Sequence, residues 1–292
     1  MFTMNSLIDP LIAERAPWLY RRSIVGRMCK PILEAVLGYK QTVKIAKELS
    51  PLCASDIMDA LAERLAKCVH VNGLNHVPRS GAALIVATHP TGIADGIILH
   101  HVLRQIRQDT YYFANRDILR VLPQMSEVIV PVEWRKEKRS HAKTRQTMMD
   151  TQRAVRMGRL GVIFPSGRLA KRRGLQLYER QWMASAAMIA RKFDLPVIPI
   201  HLSARNSFLF YAFDAIHPTL RDITLFHETL NKSKYRFDVT IGSPVPALDL
   251  PERAHSGIDM LFERTLELAE HPKIDQMKPI YKTSYKSLVF TN

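Results

Sequence analysis

His89 and Asp95 stand either side of the segment Pro90-Thr91-Gly92-Ile93-Ala94. An imidazole titrates near neutral pH, so it can take a proton from a hydroxyl. A carboxylate behind it can hold the other ring nitrogen, set the tautomer and stabilise the imidazolium, as the acid does in a Ser-His-Asp triad. The backbone N–H groups of the turn, and the helix that starts near Asp95, offer donors for an oxyanion. The simpler readings are a hydrogen-bonded histidine and an aspartate that caps a helix. Two cationic segments accompany the pair: Asn115-Arg116, and Pro165-Ser166-Gly167-Arg168 with Lys171, Arg172 and Arg173 behind it. A guanidinium is a forked donor that suits phosphate or carboxylate. A run of bases also suits a solvated loop. No Gly-x-Ser-x-Gly elbow is present and no cysteine follows a strand in a nucleophile-like turn, which favours direct attack over a covalent intermediate. Cys29, Cys53 and Cys68 lack metal-ligand spacing, so no metal is expected.

These residues need elements to hold them. Short β-rich runs at 82–87, 110–114, 128–132, 161–164, 196–201 and 236–241 alternate with helical patterns at 95–107, 142–157, 178–193 and 252–270. Such alternation predicts an α/β fold: a mostly parallel central sheet flanked by helices, with an N-terminal helical membrane-associating arm. In parallel sheets ligands sit outside the carboxyl ends of the strands. His89, Asn115-Arg116 and Ser166-Gly167-Arg168 each follow a strand end. Residues 1–72 read as the helical arm, 73–272 as the domain that carries the site, and 273–292 as a loosely attached tail. In the arm, Ile57, Met58, Leu61, Leu65, Cys68 and Val69 recur at helical spacing behind Ser55 as N-cap.

Lys and Arg number 42 against 27 Asp and Glu, a net charge of +15, which points to an anionic partner. Hydrophobic residues at 47% exclude a disordered chain, and no run reaches the roughly 18 uncharged apolar residues of a spanning helix. The first apolar run is broken by Asp9, Pro10, Glu14 and Arg15, unlike a secretory signal. Trp18, Leu19, Tyr20, Ile24, Val25 and Met28 are interleaved with Arg21, Arg22, Arg27 and Lys30, a mixture that suits an interfacial helix on an anionic membrane. It also suits a helix packed on its own domain. Nucleic acid is not expected, because no zinc pattern, RNA-recognition signature or groove-reading basic helix is present. Arg135, Lys136, Lys138, Arg139, Lys143 and Arg145 read as a solvated loop or a phosphate contact. His100, His101 and His201 read as structural, while Asn206-Ser207 and His227-Glu228 are open candidates for lining a pocket.

Four ordered segments within residues 73–242 resemble the motif blocks of the glycerolipid acyltransferases, the superfamily of glycerol-3-phosphate and lysophosphatidic acid acyltransferases. The blocks are His89…Asp95, Phe113-Ala114-Asn115-Arg116, Phe164-Pro165-Ser166-Gly167-Arg168 and Pro196-Val197-Ile198-Pro199. Two departures stand out. Five residues rather than four separate His89 from Asp95, and Ser166 replaces the glutamate of the family's Phe-Pro-Glu-Gly block. Both variants resemble a bacterial hemolysin-like subgroup. The resemblance implies an O-acyltransferase of membrane lipid biosynthesis, in which residues 73–272 form the catalytic domain. His89 would deprotonate the acceptor hydroxyl with Asp95 behind it, and Asn115, Arg116, Ser166, Gly167 and Arg168 would bind the acceptor. The implied donor is acyl-CoA or acyl carrier protein, with no cofactor. The implied acceptor is a lyso-lipid: lysophosphatidic acid, or a lyso-aminolipid such as lyso-ornithine lipid. The implied location is the cytoplasmic face of the inner membrane, peripheral or monotopic. A hydrolase using the same pair, or a basic surface-binding protein without catalysis, fits the same residues.

Overall fold

The computed structural model describes residues 8–20, 24–133, 140–174 and 176–270. Among the described residues nine strands form: β1 (Val69–Asn72), β2 (Ala83–Ala87), β3 (Thr110–Asn115), β4 (Ile129–Val132), β5 (Leu160–Ile163), β6 (Lys171–Arg173), β7 (Gln176–Tyr178), β8 (Val197–Ser203) and β9 (Phe237–Ile241). Seven of them make one sheet in the order β1-β9-β8-β2-β5-β3-β4, and β6-β7 make a separate hairpin. Every pairing in the large sheet is parallel except β8 with β9. The helices are α1 (Asp9–Arg15), α2 (Ile24–Val36), α3 (Tyr39–Leu49), α4 (Ala54–Leu65), α5 (Ile93–Leu103), α6 (Ile118–Val121), α7 (His141–Arg156), α8 (Ser185–Lys192), α9 (Phe208–Ile216), α10 (Pro218–Asn231) and α11 (Ala254–Glu267).

β2, Ala-Leu-Ile-Val-Ala, is buried along its whole length, as a central strand covered on both faces must be. Its side chains alternate between two cores. Ala83, Ile85 and Ala87 pack with Ile57 of α4 and Ile98 of α5, whereas Leu84 and Val86 pack with Ala187 of α8 and Leu261 of α11. The sheet is thus sandwiched between helical layers, and the carboxyl ends of β8, β2, β5 and β3 lie side by side along one edge.

Four local readings of the sequence need correction. Val69–Asn72, read as arm, is a sheet strand in register with β9 from Val69↔Phe237 to Asn72↔Thr240. It lies at the sheet's rim with three of its four residues exposed, so it carries no apolar run to announce it. The basic segment after Arg168 is no open loop, because Lys171–Arg173 pairs antiparallel with Gln176–Tyr178. Residues 178–193 are helical only over Ser185–Lys192, because Gln176–Tyr178 is paired in the hairpin and buried Trp182 and the Met183 N–H, which donates to the Pro165 carbonyl, tie the chain between to the domain. In α4 the cap position is Cys53, with Ser55 already inside the helix. Lys143 and Arg145 lie in α7, and Arg135, Lys136, Lys138 and Arg139 fall outside the described residues, as do 273–292.

The arm is folded onto the domain. Leu19 and Leu37 are buried against Ile223 of α10, with Cys29 and Leu33 of α2 and Leu209 and Phe213 of α9 around them. α2 nevertheless leaves one stripe in solvent: Ile24, Met28, Ile32 and Val36 are 78%, 65%, 62% and 44% exposed. Among the described residues no helix is long and apolar enough to cross a membrane.

Candidate active site

β2 stops at Ala87 and is fastened to β8 by Thr88, whose hydroxyl donates to the Leu202 carbonyl and accepts from the Leu202 N–H. His89 follows. Its Nδ1 lies 2.9 Å from Asp95 Oδ2. The same carboxylate oxygen accepts from the Thr91 and Gly92 N–H groups, each at 2.9 Å, and Oδ1 accepts from the Thr91 hydroxyl. Asp95 is buried and all its bonds are to donors, so the carboxylate is fixed in place. The turn owes its shape to Gly92, the N-cap of α5, at φ +99° and ψ −127°. A Cβ there would be strained and would press on Leu169 Cδ2 at 3.3 Å. The Thr91 and Gly92 N–H groups, expected to serve an oxyanion, therefore serve Asp95 instead.

An acceptor carboxylate at Nδ1 makes that nitrogen the protonated one and leaves the Nε2 lone pair available. Nε2 has no hydrogen-bond partner among the described residues, and the side chain is 18% exposed. The imidazole lies on the Phe164 ring, with centroids 4.2 Å apart and planes 22° apart, so its plane is set by a residue at the end of β5. The arrangement is a fixed, oriented base with one open nitrogen.

The remaining predicted residues divide. Gly167 takes φ +60° and donates its N–H to the Phe164 carbonyl at 2.9 Å, closing a tight turn that buried Ser166 braces by donating to the Arg168 carbonyl at 2.7 Å. Arg168 leaves this turn with its side chain exposed. Arg116, at the end of β3, has a buried Nε without a partner among the described residues. Asn115 is turned into its own loop: Oδ1 accepts from the Asp117 N–H at 3.0 Å and Nδ2 donates to Asp117 Oδ2 at 3.3 Å. Asp117 in turn binds Arg15 of the arm at 2.9 Å.

Sequence reasoning passed over Glu179, a neighbour of His89, and Arg180 next to it in the chain. Glu179 Oε2 accepts the His89 backbone N–H at 3.1 Å, and Arg180 donates to the Leu169 carbonyl at 2.9 Å. Burial and the nearby Arg168 and Arg221 charges lower Arg180 from its ordinary value. The pocket candidates Ser207 and Glu228 prove to be internal. Glu228 binds the Ser207 N–H at 2.9 Å and fully buried Lys232 at 2.6 Å. Burial lowers Lys232, which Glu228 and Asp95 partly offset. Asn206 is buried with both amide atoms unpartnered among the described residues. His100 binds Asp59 at 2.7 Å, joining α5 to α4.

His201 lies buried in β8, and burial pulls its pKa from 6.5 to about 4. Between those values the unfolded chain binds the proton and the folded chain does not, so stability rises with pH through this window. Denaturant unfolding should therefore show a loss of about 2 kcal/mol from this group between pH 7 and pH 5. His201→Leu should remove that part of the pH dependence. An identical pH dependence in the variant would show that His201 does not carry it.

Three comparisons bear on the chain. The family model described as Acyltransferase matches residues 68–203, from the start of β1 to the end of β8. The chain is 25% identical over 238 residues to a lyso-glycine lipid O-acyltransferase of Phocaeicola vulgatus, covering 76% of this chain and 82% of that protein. It is 22% identical over 249 residues to a lyso-glycine lipid O-acyltransferase of Bacteroides thetaiotaomicron, covering 82% and 88%. The fold is similar to that of the 1-acyl-sn-glycerophosphate (LPA) acyltransferase PlsC from Thermotoga maritima, with a TM-score of 0.50 and 13% identity over 84% of this chain and 96% of that one.

Proposed function

We propose that the chain is a member of the glycerolipid acyltransferase superfamily and that it esterifies the free hydroxyl of a lyso-aminolipid with a fatty acyl group from a thioester donor. The observation that carries the mechanism is the His89–Asp95 pair, whose open nitrogen is Nε2. Nε2 takes the proton of the acceptor hydroxyl as its oxygen attacks the thioester carbonyl. The C–S bond breaks as the tetrahedral intermediate collapses, and the imidazolium returns the proton to the thiolate. Asp95 supports the imidazolium in between. The products are the ester and free thiol, with no acyl-enzyme. Arg116 and Arg168 offer charge to an anionic headgroup.

An aminolipid acceptor is favoured because both curated relatives are named for a lyso-glycine lipid. Acyl-CoA and acyl carrier protein are cytoplasmic molecules, which puts the reaction at the cytoplasmic face of the inner membrane. The exposed stripe of α2 and the excess of 15 positive charges suit attachment there as a peripheral or monotopic protein.

The test is transfer by the full-length protein to lyso-glycine lipid, lyso-ornithine lipid and lysophosphatidic acid in anionic vesicles, with acyl-CoA and acyl carrier protein as donors and products read by mass spectrometry. Ester should form on an aminolipid acceptor in preference to lysophosphatidic acid. Release of free fatty acid alone would mean a hydrolase. Met28→Glu with Ile32→Glu should lower turnover on vesicles by about tenfold or more, since burying those side chains contributes about 1.5–3 kcal/mol each. Turnover on a short-chain soluble acceptor should change less than twofold on this reasoning. Equal losses on both would mean that the stripe is not the membrane contact.

A further inference from the structure

We propose that Glu179 is the positioning residue of the catalytic histidine, and that its carboxyl takes the place left by the serine at position 166. This rests on the acyl-transfer reading above. The backbone of His89 is held on both sides by the segment that follows β5. Its carbonyl accepts from the Ala170 N–H at 2.9 Å and its N–H donates to Glu179 Oε2 at 3.1 Å. Glu179 Oε1 accepts from the indole N–H of Trp182 at 3.2 Å. Trp182 is buried edge-on against Phe262 of α11, with centroids 5.4 Å apart, so the carboxyl is anchored to the rigid core. The Ser166 side chain lies beside the same carboxyl and favours its charged form. Next to that contact, the Met183 N–H donates to the Pro165 carbonyl at 3.0 Å. One carboxyl thus joins the peptide of the base, the turn that carries Arg168, and the core beneath them.

The Ser166 hydroxyl proton is committed to the Arg168 carbonyl. Burial pushes Glu179 above its ordinary value, against the pull of His89, the Trp182 indole N–H and Ser166. The Phe-Pro-Ser-Gly turn carries serine where the blocks it resembles carry glutamate. A serine is too short to reach from the turn to the His89 peptide, and a longer side chain from beyond β7 makes that link.

The test uses the full-length protein and two readouts. In the transfer assay, Glu179→Ala should lower kcat about 10–100-fold with acceptor KM within about twofold, the effect of a displaced base on an intact binding site. Glu179→Gln keeps its amide oxygen for the His89 N–H but turns its NH2 toward the Trp182 indole N–H, so it should lose less kcat than Glu179→Ala. Ser166→Glu combined with Glu179→Ala should recover at least about tenfold over Glu179→Ala alone, by the same reasoning. The second readout is hydrogen exchange at the His89 amide, which needs no substrate. Protection should fall more than about tenfold in Glu179→Ala and return in the double variant, since an unpaired amide exchanges through local opening. Unchanged protection overturns the proposal, whether or not transfer is seen. So does a folded Glu179→Ala variant with more than half the original kcat. Should Glu179→Ala fail to fold, Glu179→Gln decides: a Gln variant that folds and loses His89 protection while keeping kcat, or keeps protection while losing kcat, overturns the proposal, and one in which the two move together supports it.

Discussion

A His89→Ala variant will fold and will lose acyl transfer. Removing a positioned general base typically costs about 10²–10⁴-fold, and the acceptor oxygen also loses its orienting partner. The fold should survive because the side chain is partly exposed and Asp95 keeps three other donors, the Thr91 and Gly92 N–H groups and the Thr91 hydroxyl. Loss of one hydrogen bond of a buried carboxylate with other partners should cost about 1–2 kcal/mol. Phe164 loses its stacked neighbour but stays part of the core margin. Turnover should be read under single-turnover conditions by mass spectrometry, and folding by thermal unfolding in the same buffer. A folded His89→Ala protein with near-original turnover would end the mechanism. His89→Gln should be as inactive, since an amide fills the volume without offering a base.

Much of the sheet was legible because its central strands carry unmistakable signals. The five apolar residues of β2 end on Thr88-His89-Pro90, and both the strand and its stop can be read from side-chain types alone. The His89–Asp95 pair was legible for a related reason: the two residues lie in one turn, so their contact is local. What escaped was held by tertiary structure. β1 is a rim strand with little burial, and its partner β9 is far along the chain. The antiparallel β8–β9 pairing follows from α9 and α10, two helices that the alternation of strands and helices did not reveal. Glu179 looked like the first turn of a helix, because glutamate favours that position. Its true partner, the peptide of His89, is set by how the β6-β7 hairpin folds back, and no spacing rule reports that. Two of the donors expected for an oxyanion are taken up inside the turn. A turn rich in N–H groups was correctly located, but a carboxylate in the same turn is the nearest acceptor, and Asp95 took the Thr91 and Gly92 donors.

That same geometry makes Asp95 the sharper test of the site, because two substitutions there should separate catalysis from stability. Asp95→Ala leaves the Thr91 and Gly92 N–H groups buried without an acceptor. Each unsatisfied donor costs about 1–3 kcal/mol, so the variant should lose about 2–6 kcal/mol and unfold early. Asp95→Asn should behave differently. Its amide oxygen can occupy the Oδ2 position and accept from both N–H groups and from His89 Nδ1. Its amide nitrogen then faces the Thr91 hydroxyl, which can rotate to accept where it now donates. The fold and the histidine tautomer are kept, and only the negative charge behind the imidazolium is lost. Transfer should then fall by about 10²–10⁴-fold, a range bounded above by the loss when the aspartate of a Ser-His-Asp triad becomes asparagine. The thermal midpoint should stay within a few degrees of the unaltered protein, as a change of about 1 kcal/mol implies for a chain of this size. Adding Thr91→Val removes the rotating hydroxyl and leaves the asparagine nitrogen with a methyl group to face. The double variant should therefore lose stability that Asp95→Asn alone retains. If Asp95→Asn unfolds as early as Asp95→Ala, the carboxylate is needed for the turn itself and the charge has not been tested. If it folds and turns over like the unaltered protein, the charge of Asp95 plays no part in proton transfer and His89 acts alone.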